Sequence, residues 1–190
     1  MIGELPRTVC VHGVEYDVRT DFRDILKIVT AFSDPNLEDN EKVYVCLFIF
    51  YVDFDALPRR DYEEAFKAAV CFIDHDTEAG DKEVDPRRNP RVMDWEQDEA
   101  IMFPAINKVA GFETRSAEYV HWWTFMGYYM EISEGIFSNV LSIRLKKAKG
   151  KKLEKWEREF WASNKELCVL KVKLSEEEQA EKDRLNALLG

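Results

Sequence analysis

The stretch EYVHWWTFMGYYMEI, Glu118 to Ile132, carries the highest density of aromatic side chains in the chain. Its large apolar residues recur at helical spacing and leave hardly any polar face. A helix that is apolar nearly all round is normally buried by its neighbours on several sides. The sequence therefore predicts a central core helix over Tyr119 to Ile132, with Ser116 as its cap and Gly135 as its end.

The composition places the chain in the class of soluble globular proteins. It has 190 residues, of which 46% are apolar and 34% charged, and a formal net charge of -10. Such a charge argues against nucleic-acid binding by the whole chain, because that affinity comes from neutralising phosphates. The longest apolar run, Val43 to Val52, is shorter than the ~20 residues of a membrane-spanning helix. With no signal-peptide pattern at the N-terminus, we expect neither secretion nor a membrane span.

The first half of the sequence predicts a β-hairpin followed by helices. Alternating apolar residues on both sides of His12 and Gly13 indicate a hairpin over residues 7–19. Thr20 is the expected N-cap of an amphipathic helix that starts at Phe22. The run Val43 to Val52 favours a buried helix over a buried strand, and a further helix follows Pro58.

Residues 74–94 show no apolar periodicity and predict a long exposed loop. Its acidic residues superficially suggest a calcium loop. The ordered spacing of carboxylates, with a glycine at the sixth position, is missing. A solvated loop is therefore favoured over a metal site.

The second half returns to helical spacing. Pro104 lies inside one helical pattern, where it should kink or restart the helix, and Gly111 should end that pattern. Another helix is predicted over Ile136 to Leu145. Alternation from Cys168 to Leu174 predicts a short strand, and Ser175 with Glu178 resembles a capping box before a last helix.

These patterns predict a mainly α fold (α+β), a helical bundle with a small N-terminal β-hairpin and a short C-terminal strand. Residues 1–174 are expected to form a single domain. Residues 175–190 form a C-terminal helix, interpreted as an appendage, whose apolar face consists of Leu185, Leu188 and Leu189.

No residue pattern favours catalysis. His121 is the one titratable side chain in the middle of the predicted central helix, and a structural, hydrogen-bonded role is favoured over a catalytic one. The four cysteines stand far apart, and no phosphate-binding, hydrolase or zinc motif occurs. We therefore expect no enzyme activity, no cofactor and no metal.

A basic block interrupts the acidic chain between Arg144 and Glu159, where eight basic residues face three acidic ones. Such a block can dock on an acidic partner, on nucleic acid or on a second copy of this chain. A solvated helix end is the simpler and slightly favoured interpretation. The candidate contact residues at this stage are the apolar face of the last helix together with Lys146, Lys147, Lys149, Lys151 and Lys152.

Four segments in a fixed order carry a resemblance to a known family. They are TDFRDIL, DWEQDEAIMFPAINKVAGF, HWWTFMGYY and SIRLKKAKGKK. The sequence resembles the phage family called gene product fifteen, from about Leu5 to Leu174. Family members come from long-tailed phages and prophages of Gram-positive bacteria and are encoded next to the tape-measure gene. The family-signature residues in this sequence are Phe22, Arg23, Asp98, Gly111, His121, Trp122 and Trp123.

The resemblance implies a non-enzymatic tail assembly chaperone that binds the tape-measure protein in the cytoplasm of the bacterial host. Tail-tube subunits and a second copy of the chain are further candidate partners. The alternative is a structural virion component, such as a tail-completion or connector subunit that forms a ring. A small enzyme or nucleic-acid-binding factor is a third hypothesis. Pro104 and the loop from Glu83 to Val92 depart from the family pattern.

Overall fold

The computed structural model describes residues 3–75 and 90–189, without the side chain of Leu189. The chain is mainly helical with a two-stranded antiparallel hairpin, as predicted. The fold divides into two compact units. Unit 1 holds the described residues of Met1–Ala79 and Val172–Gly190, and unit 2 those of Gly80–Lys171. The expectation that residues 1–174 form one domain stays a prediction.

The hairpin of unit 1 pairs β1 (Thr8–Val11) with β2 (Val14–Asp17). Val11 lies opposite Val14, so the turn consists of His12 and Gly13, with φ angles of 49° and 83°. Two consecutive positive φ angles match the right-handed twist of the strands they connect. The predicted hairpin and its turn are confirmed.

Helix α1 (Phe22–Phe32) begins one residue later than its predicted cap implies. The cap is Asp21, whose carboxylate accepts the backbone N–H of Arg23 at 2.9 Å. Thr20, the predicted cap, is buried instead. A carboxylate at the N-cap also interacts favourably with the helix dipole, which explains why Asp21 replaces Thr20 in this role.

Helices α2 (Asp39–Phe50) and α3 (Tyr62–Asp74) complete the core of unit 1. The predicted helical state of Val43 to Val52 is thus confirmed up to Phe50. Tyr51 leaves the helix, bridges to Val18, and donates its buried hydroxyl to the carbonyl of Ala65 at 2.8 Å. This bond ties the end of α2 to α3.

The described part of unit 2 is built from short helices. Its α-helices are α4 (Glu99–Ala110), α5 (Trp122–Met130), α6 (Ile136–Ala148), α7 (Lys155–Ser163) and α8 (Lys165–Cys168). Helix α4 contacts both α5 and α6, and α8 contacts α6 and α7.

The predicted central helix is shorter and less buried than expected. Helix α5 starts at Trp122 rather than Tyr119, and His121 is its N-cap rather than Ser116. Trp122 and Phe125 are buried, whereas Tyr119 and Met130 are largely exposed. The predicted core helix over Tyr119 to Ile132 is thus confirmed only for Trp122–Met130, and its buried side chains lie in its first half.

Helix α4 continues through Pro104, so the predicted restart at Phe103 does not occur. Pro104 has no N–H, and the carbonyl of Ala100 therefore receives no helical hydrogen bond from position 104. Both residues lie at an exposed face of the helix, where water can solvate that carbonyl. Gly111 ends α4 with a φ of 79°, as predicted.

The predicted C-terminal strand is absent, since residues 169–175 form no strand in the structure. The side-chain amide of Gln97 takes the place of a strand partner. It donates to the carbonyl of Val169 at 2.7 Å and accepts the N–H of Lys171 at 2.8 Å. A side-chain amide has both a donor and an acceptor, so Gln97 bonds the same two backbone groups that a neighbouring strand would have bonded.

Helix α9 (Glu176–Leu189) belongs to unit 1. The predicted capping box is confirmed, with Ser175 and Glu178 bonded reciprocally at 2.8 and 3.2 Å. The backbone N–H of Glu176 also donates to Asn36 at 2.8 Å. Within residues 3–75 and 90–189, no helix is long and apolar enough to cross a membrane.

Candidate partner-binding surfaces

His121 acts as a helix cap. Its Nδ1 accepts the backbone N–H of Trp123 at 3.0 Å, and the side chain is buried. A ring nitrogen that accepts is unprotonated, so this bond fixes the neutral tautomer that carries its proton on Nε2. The geometry gives His121 the structural role that its sequence context favours.

A buried ion pair organises unit 2. Arg144 donates from both terminal nitrogens to the Asp98 carboxylate, at 2.7 and 2.8 Å. The same guanidinium donates to the carbonyls of Val92 and Leu167, at 2.9 and 2.5 Å. Arg144 therefore joins α6 to the start of α4 and to α8, and it is no part of a basic surface.

Two further members of the basic block also have partners within unit 2. Lys146 contacts the buried carboxylate of Glu157 at 2.6 Å, and this hydrogen bond lowers the pKa of Glu157. The ammonium of Lys147 lies 3.5 Å from the centre of the Trp161 ring. These lysines hold α6 against α7.

The remaining lysines form an exposed surface, which we call the lysine loop: Lys149, Lys151 and Lys152 between α6 and α7. Gly150, with a φ of 64°, turns the chain, and the N–H of Lys151 donates to the carbonyl of Lys146 at 2.8 Å. This is the left-handed ending typical of helices. Because the turn is hydrogen-bonded, the loop is held in place before any partner arrives.

The leucines predicted as a contact surface are exposed on α9. Every described side chain of Glu176–Leu189 is exposed, including Leu188 at 77%. A 14-residue helix is marginally stable in water on its own. Leu185 and Leu188 are therefore available to a partner, while the side chain of Leu189 lies outside the described ones.

An open apolar groove runs along α4 in unit 2. It has a volume of about 500 Å³ and lies between α4 and the segment that joins α5 to α6. The lining includes Ile101, Pro104, Ala105, Val109, Ile132 and Ile136. Helical periodicity alone does not predict this groove, because the packing of α4 against the segment after α5 creates it.

A second surface that the sequence patterns do not predict lies on the outer face of α2 and on the residues that follow it. Tyr44, Phe48 and Val52 are 53%, 57% and 51% exposed. The Tyr44 and Phe48 rings stack with their centres 6.2 Å apart. The centre of the Phe54 ring lies 5.3 Å from that of Tyr44 and 5.8 Å from that of Phe48. We call these four residues the aromatic patch. In the sequence, the patch is reflected in the run Val43 to Val52, which places apolar residues on both faces of α2. The rest of unit 1 covers only one of these faces.

Comparison with known proteins supplies the family. The model of the family described as Bacteriophage Gp15 protein matches residues 1–170. This chain belongs to the Gp15 family. No curated protein and no solved structure matches the chain significantly.

The signature residues of this Gp15 family member determine local structure. Phe22 and Trp122 are buried, Asp98 holds Arg144, Gly111 ends α4, and His121 caps α5. Arg23 lies over the Phe22 ring and donates to Asp21 at 2.9 Å, whereas Trp123 is partly exposed.

The residues matched by the Gp15 family include the groove, the lysine loop and the aromatic patch, whereas α9 lies beyond residue 170. Membership makes the chain a bacteriophage protein of the structural or tail region.

Proposed function

We propose that this Gp15 family member is a non-enzymatic tail assembly chaperone that binds the tape-measure protein. Family membership supports a role in the phage particle or its assembly. The proposal places the protein in the cytoplasm of the host during assembly. A tape measure exposes a long apolar stripe until the tail tube encloses it, and covering that stripe would prevent aggregation.

The observation that carries the proposal is the groove along α4. Amphipathic helices bind by laying their apolar face into a groove of this kind. The lining is mostly aliphatic, and the freed carbonyl of Ala100 can accept one hydrogen bond from a partner. The groove thus offers one hydrogen-bond acceptor and an otherwise apolar surface. Such a site can bind any of the similar apolar turns along a long helix, as a tape measure would present them.

The experiment is co-expression of the tagged protein with the tape-measure protein of the same genome, followed by pull-down and light scattering. We expect a soluble complex, with the tape measure insoluble alone. Ala105→Arg places a long charged side chain in the groove and should abolish the complex. Ala162→Arg makes the same change on the exposed surface of α7 and should leave it intact.

The outcomes separate the parts of the proposal. A tape measure that stays insoluble beside the wild-type protein contradicts the chaperone function. A complex that survives Ala105→Arg, with the variant's melting curve unchanged, rejects the groove as the binding site but keeps the function.

The second candidate is a structural virion component that forms a ring. The specific observation in its favour is the presence of two exposed surfaces of different chemistry, the aromatic patch and the lysine loop, on one chain. Its test is detection of the protein in purified phage particles.

A further inference from the structure

We propose that the aromatic patch of one copy binds the lysine loop of a second copy, so that the protein associates with itself head to tail. This contact is independent of tape-measure binding, which uses the groove along α4. It requires one acidic and apolar surface and one basic surface on each chain. Both are present on the described residues.

The aromatic patch needs a covering partner. Cys46, Leu47 and Phe50 bury the inner face of α2, whereas Tyr44 and Phe48 leave more than half of their surface in water on the outer face. Exposed clusters of aromatic rings are the usual anchors of protein interfaces. Single exposed apolar residues are common, but three rings that contact one another, with an exposed valine close by in the sequence, form a patch.

Acidic side chains lie close to the aromatic patch in the sequence, and the guanidinium of Arg19 is bonded there to backbone carbonyls, including those of Phe48 and Val52 at 3.3 Å. Glu41 precedes Tyr44 by one helical turn, and Asp53 and Asp55 flank Phe54, all three exposed. The sequence ranges Met1–Ala79 and Val172–Gly190 together contain 22 acidic and 11 basic residues. A cationic surface is therefore the electrostatic complement of this patch.

The lysine loop provides that complement. Lys149, Lys151 and Lys152 are exposed, and Lys155, Trp156 and Arg158 continue the surface into α7. The sequence range Gly80–Lys171 contains 16 basic and 15 acidic residues, so no strong excess of acidic residues opposes the positive charge of the loop. Trp156 is 45% exposed and adds an aromatic ring to the basic surface.

The geometry of the loop reduces the entropy cost of binding. The hydrogen bond from Lys151 to Lys146 fixes its start, and a capping box fixes its end, with the N–H of Glu154 bonded to Glu157 at 2.7 Å. A surface held before binding loses less conformational freedom on association.

The chain already contains one contact of the proposed kind. The ammonium of Lys147 lies over the Trp161 ring within unit 2. Between copies, the loop lysines would lie over Tyr44 and Phe48 and close to the carboxylates of Asp53 and Asp55. Cation–π contacts and charge pairs would then act together.

The distribution of charge on the chain favours a second copy over nucleic acid as the partner of the lysine loop. The net charge of -10 opposes phosphate binding by the chain as a whole, whereas the lysine loop of one copy and the acidic residues beside the patch of another attract each other locally. Since the two contacting surfaces differ, a dimer still has one free aromatic patch and one free lysine loop, and association extends to a ring or a filament.

The test compares sedimentation of the wild-type protein with two variants at low and high salt. Lys151→Glu/Lys152→Glu reverses the charge of two side chains in the lysine loop. Tyr44→Gln/Phe48→Gln removes two exposed rings from the aromatic patch. We expect the wild-type protein to form oligomers at low salt and these oligomers to dissociate as the salt concentration rises. Each variant alone should be a monomer.

Mixing the two variants gives the sharpest result. The loop variant keeps a normal patch and the patch variant keeps a normal loop, so only one productive contact is possible. We expect a discrete species of twice the monomer mass. The control Lys165→Glu/Lys182→Glu makes the same change in net charge at other exposed positions and should associate like the wild type.

Three results would overturn the proposal: a monomeric wild-type protein at all concentrations, loop variants that associate normally, or a mixture that stays monomeric. A labelled DNA duplex bound by a monomeric wild type and not by the loop variant would assign the loop to nucleic acid instead. Both variants should still capture the tape measure, so failure here is separable from failure of the chaperone proposal.

Discussion

At the scale of single residues, the pair of Asp98 and Arg144 decides the structure of unit 2. Besides Arg144, the Asp98 carboxylate accepts the N–H of Asp94 at 3.0 Å. The two side chains come from α6 and from the residue before α4, 46 positions apart. The hydrogen bonds of the pair offset the free-energy cost of removing two charges from water only while both partners are present.

Arg144→Met should therefore destabilise unit 2 by about 3–5 kcal/mol, since it leaves the Asp98 carboxylate buried and unpaired. Urea unfolding followed by tryptophan fluorescence measures this directly. All five tryptophans lie in Gly80–Lys171, so the signal reports unit 2. Lys67→Met, which breaks an exposed pair with Glu63, should cost about 0.5 kcal/mol or less by circular dichroism. Equal costs for the two variants would contradict the organising role.

Glu113 gives a pH-dependent prediction. The hydrogen bond from the Arg115 side chain, aided by one from Asn107 at 2.8 Å, lowers the pKa of Glu113 from 4.5 to about 2. A carboxyl whose pKa is lowered by folding stabilises the fold above pH 4.5, and this contribution disappears as the pH falls towards 2.

The measurement is the free energy of unfolding of Glu113→Gln and wild type across that range. We expect the difference between the two to be constant above pH 4.5 and to vanish near pH 2. Arg115→Met should remove the same pH dependence, because it removes the main cause of the shift. A difference that is unchanged at pH 2 would show that Glu113 acts through its shape and not its charge.

At the scale of elements, α9 is the least supported helix of unit 1. Its capping box and its bond to Asn36 hold the first turn, but none of its described side chains is buried. A helix stabilised by its cap alone depends on a partner for further stability. Its leucines are thus a second candidate contact for the tape measure, outside the residues matched by the family.

Leu185→Ser/Leu188→Ser should change the free energy of unfolding by about 0.5 kcal/mol or less, because both side chains are exposed. The same variant should weaken capture of the tape measure in the pull-down. Glu177→Ser/Glu181→Ser alters the same helix at exposed polar positions and serves as the control. Capture that is equal in both variants would reject the leucines as a contact.

At the scale of the whole molecule, charge is distributed unevenly between the units. Acidic residues are twice as numerous as basic ones in the sequence ranges Met1–Ala79 and Val172–Gly190, whereas the two kinds are almost balanced in Gly80–Lys171. When an anionic protein binds an apolar partner, the complexes carry the same sign of charge and repel one another, and this repulsion keeps the partner in solution. The same asymmetry permits contact between unlike units of two copies.

The sequence by itself determined the features that depend on neighbouring residues. The His12–Gly13 turn, the helical state of α1 to α4, the end at Gly111 and the capping box at Ser175 all follow from backbone preferences over a few positions. The order of the family segments also depends on sequence alone, and it identified the family.

The tertiary structure alone decided which apolar and charged residues are used. The sequence shows that α2 is apolar on all sides, but only packing shows that its outer face is exposed. Likewise Arg144 and Lys149 belong to one basic block, and only the fold buries the first against Asp98 and leaves the second in water. Burial and pairing depend on residues far apart in the chain, and their proximity is not encoded in local periodicity.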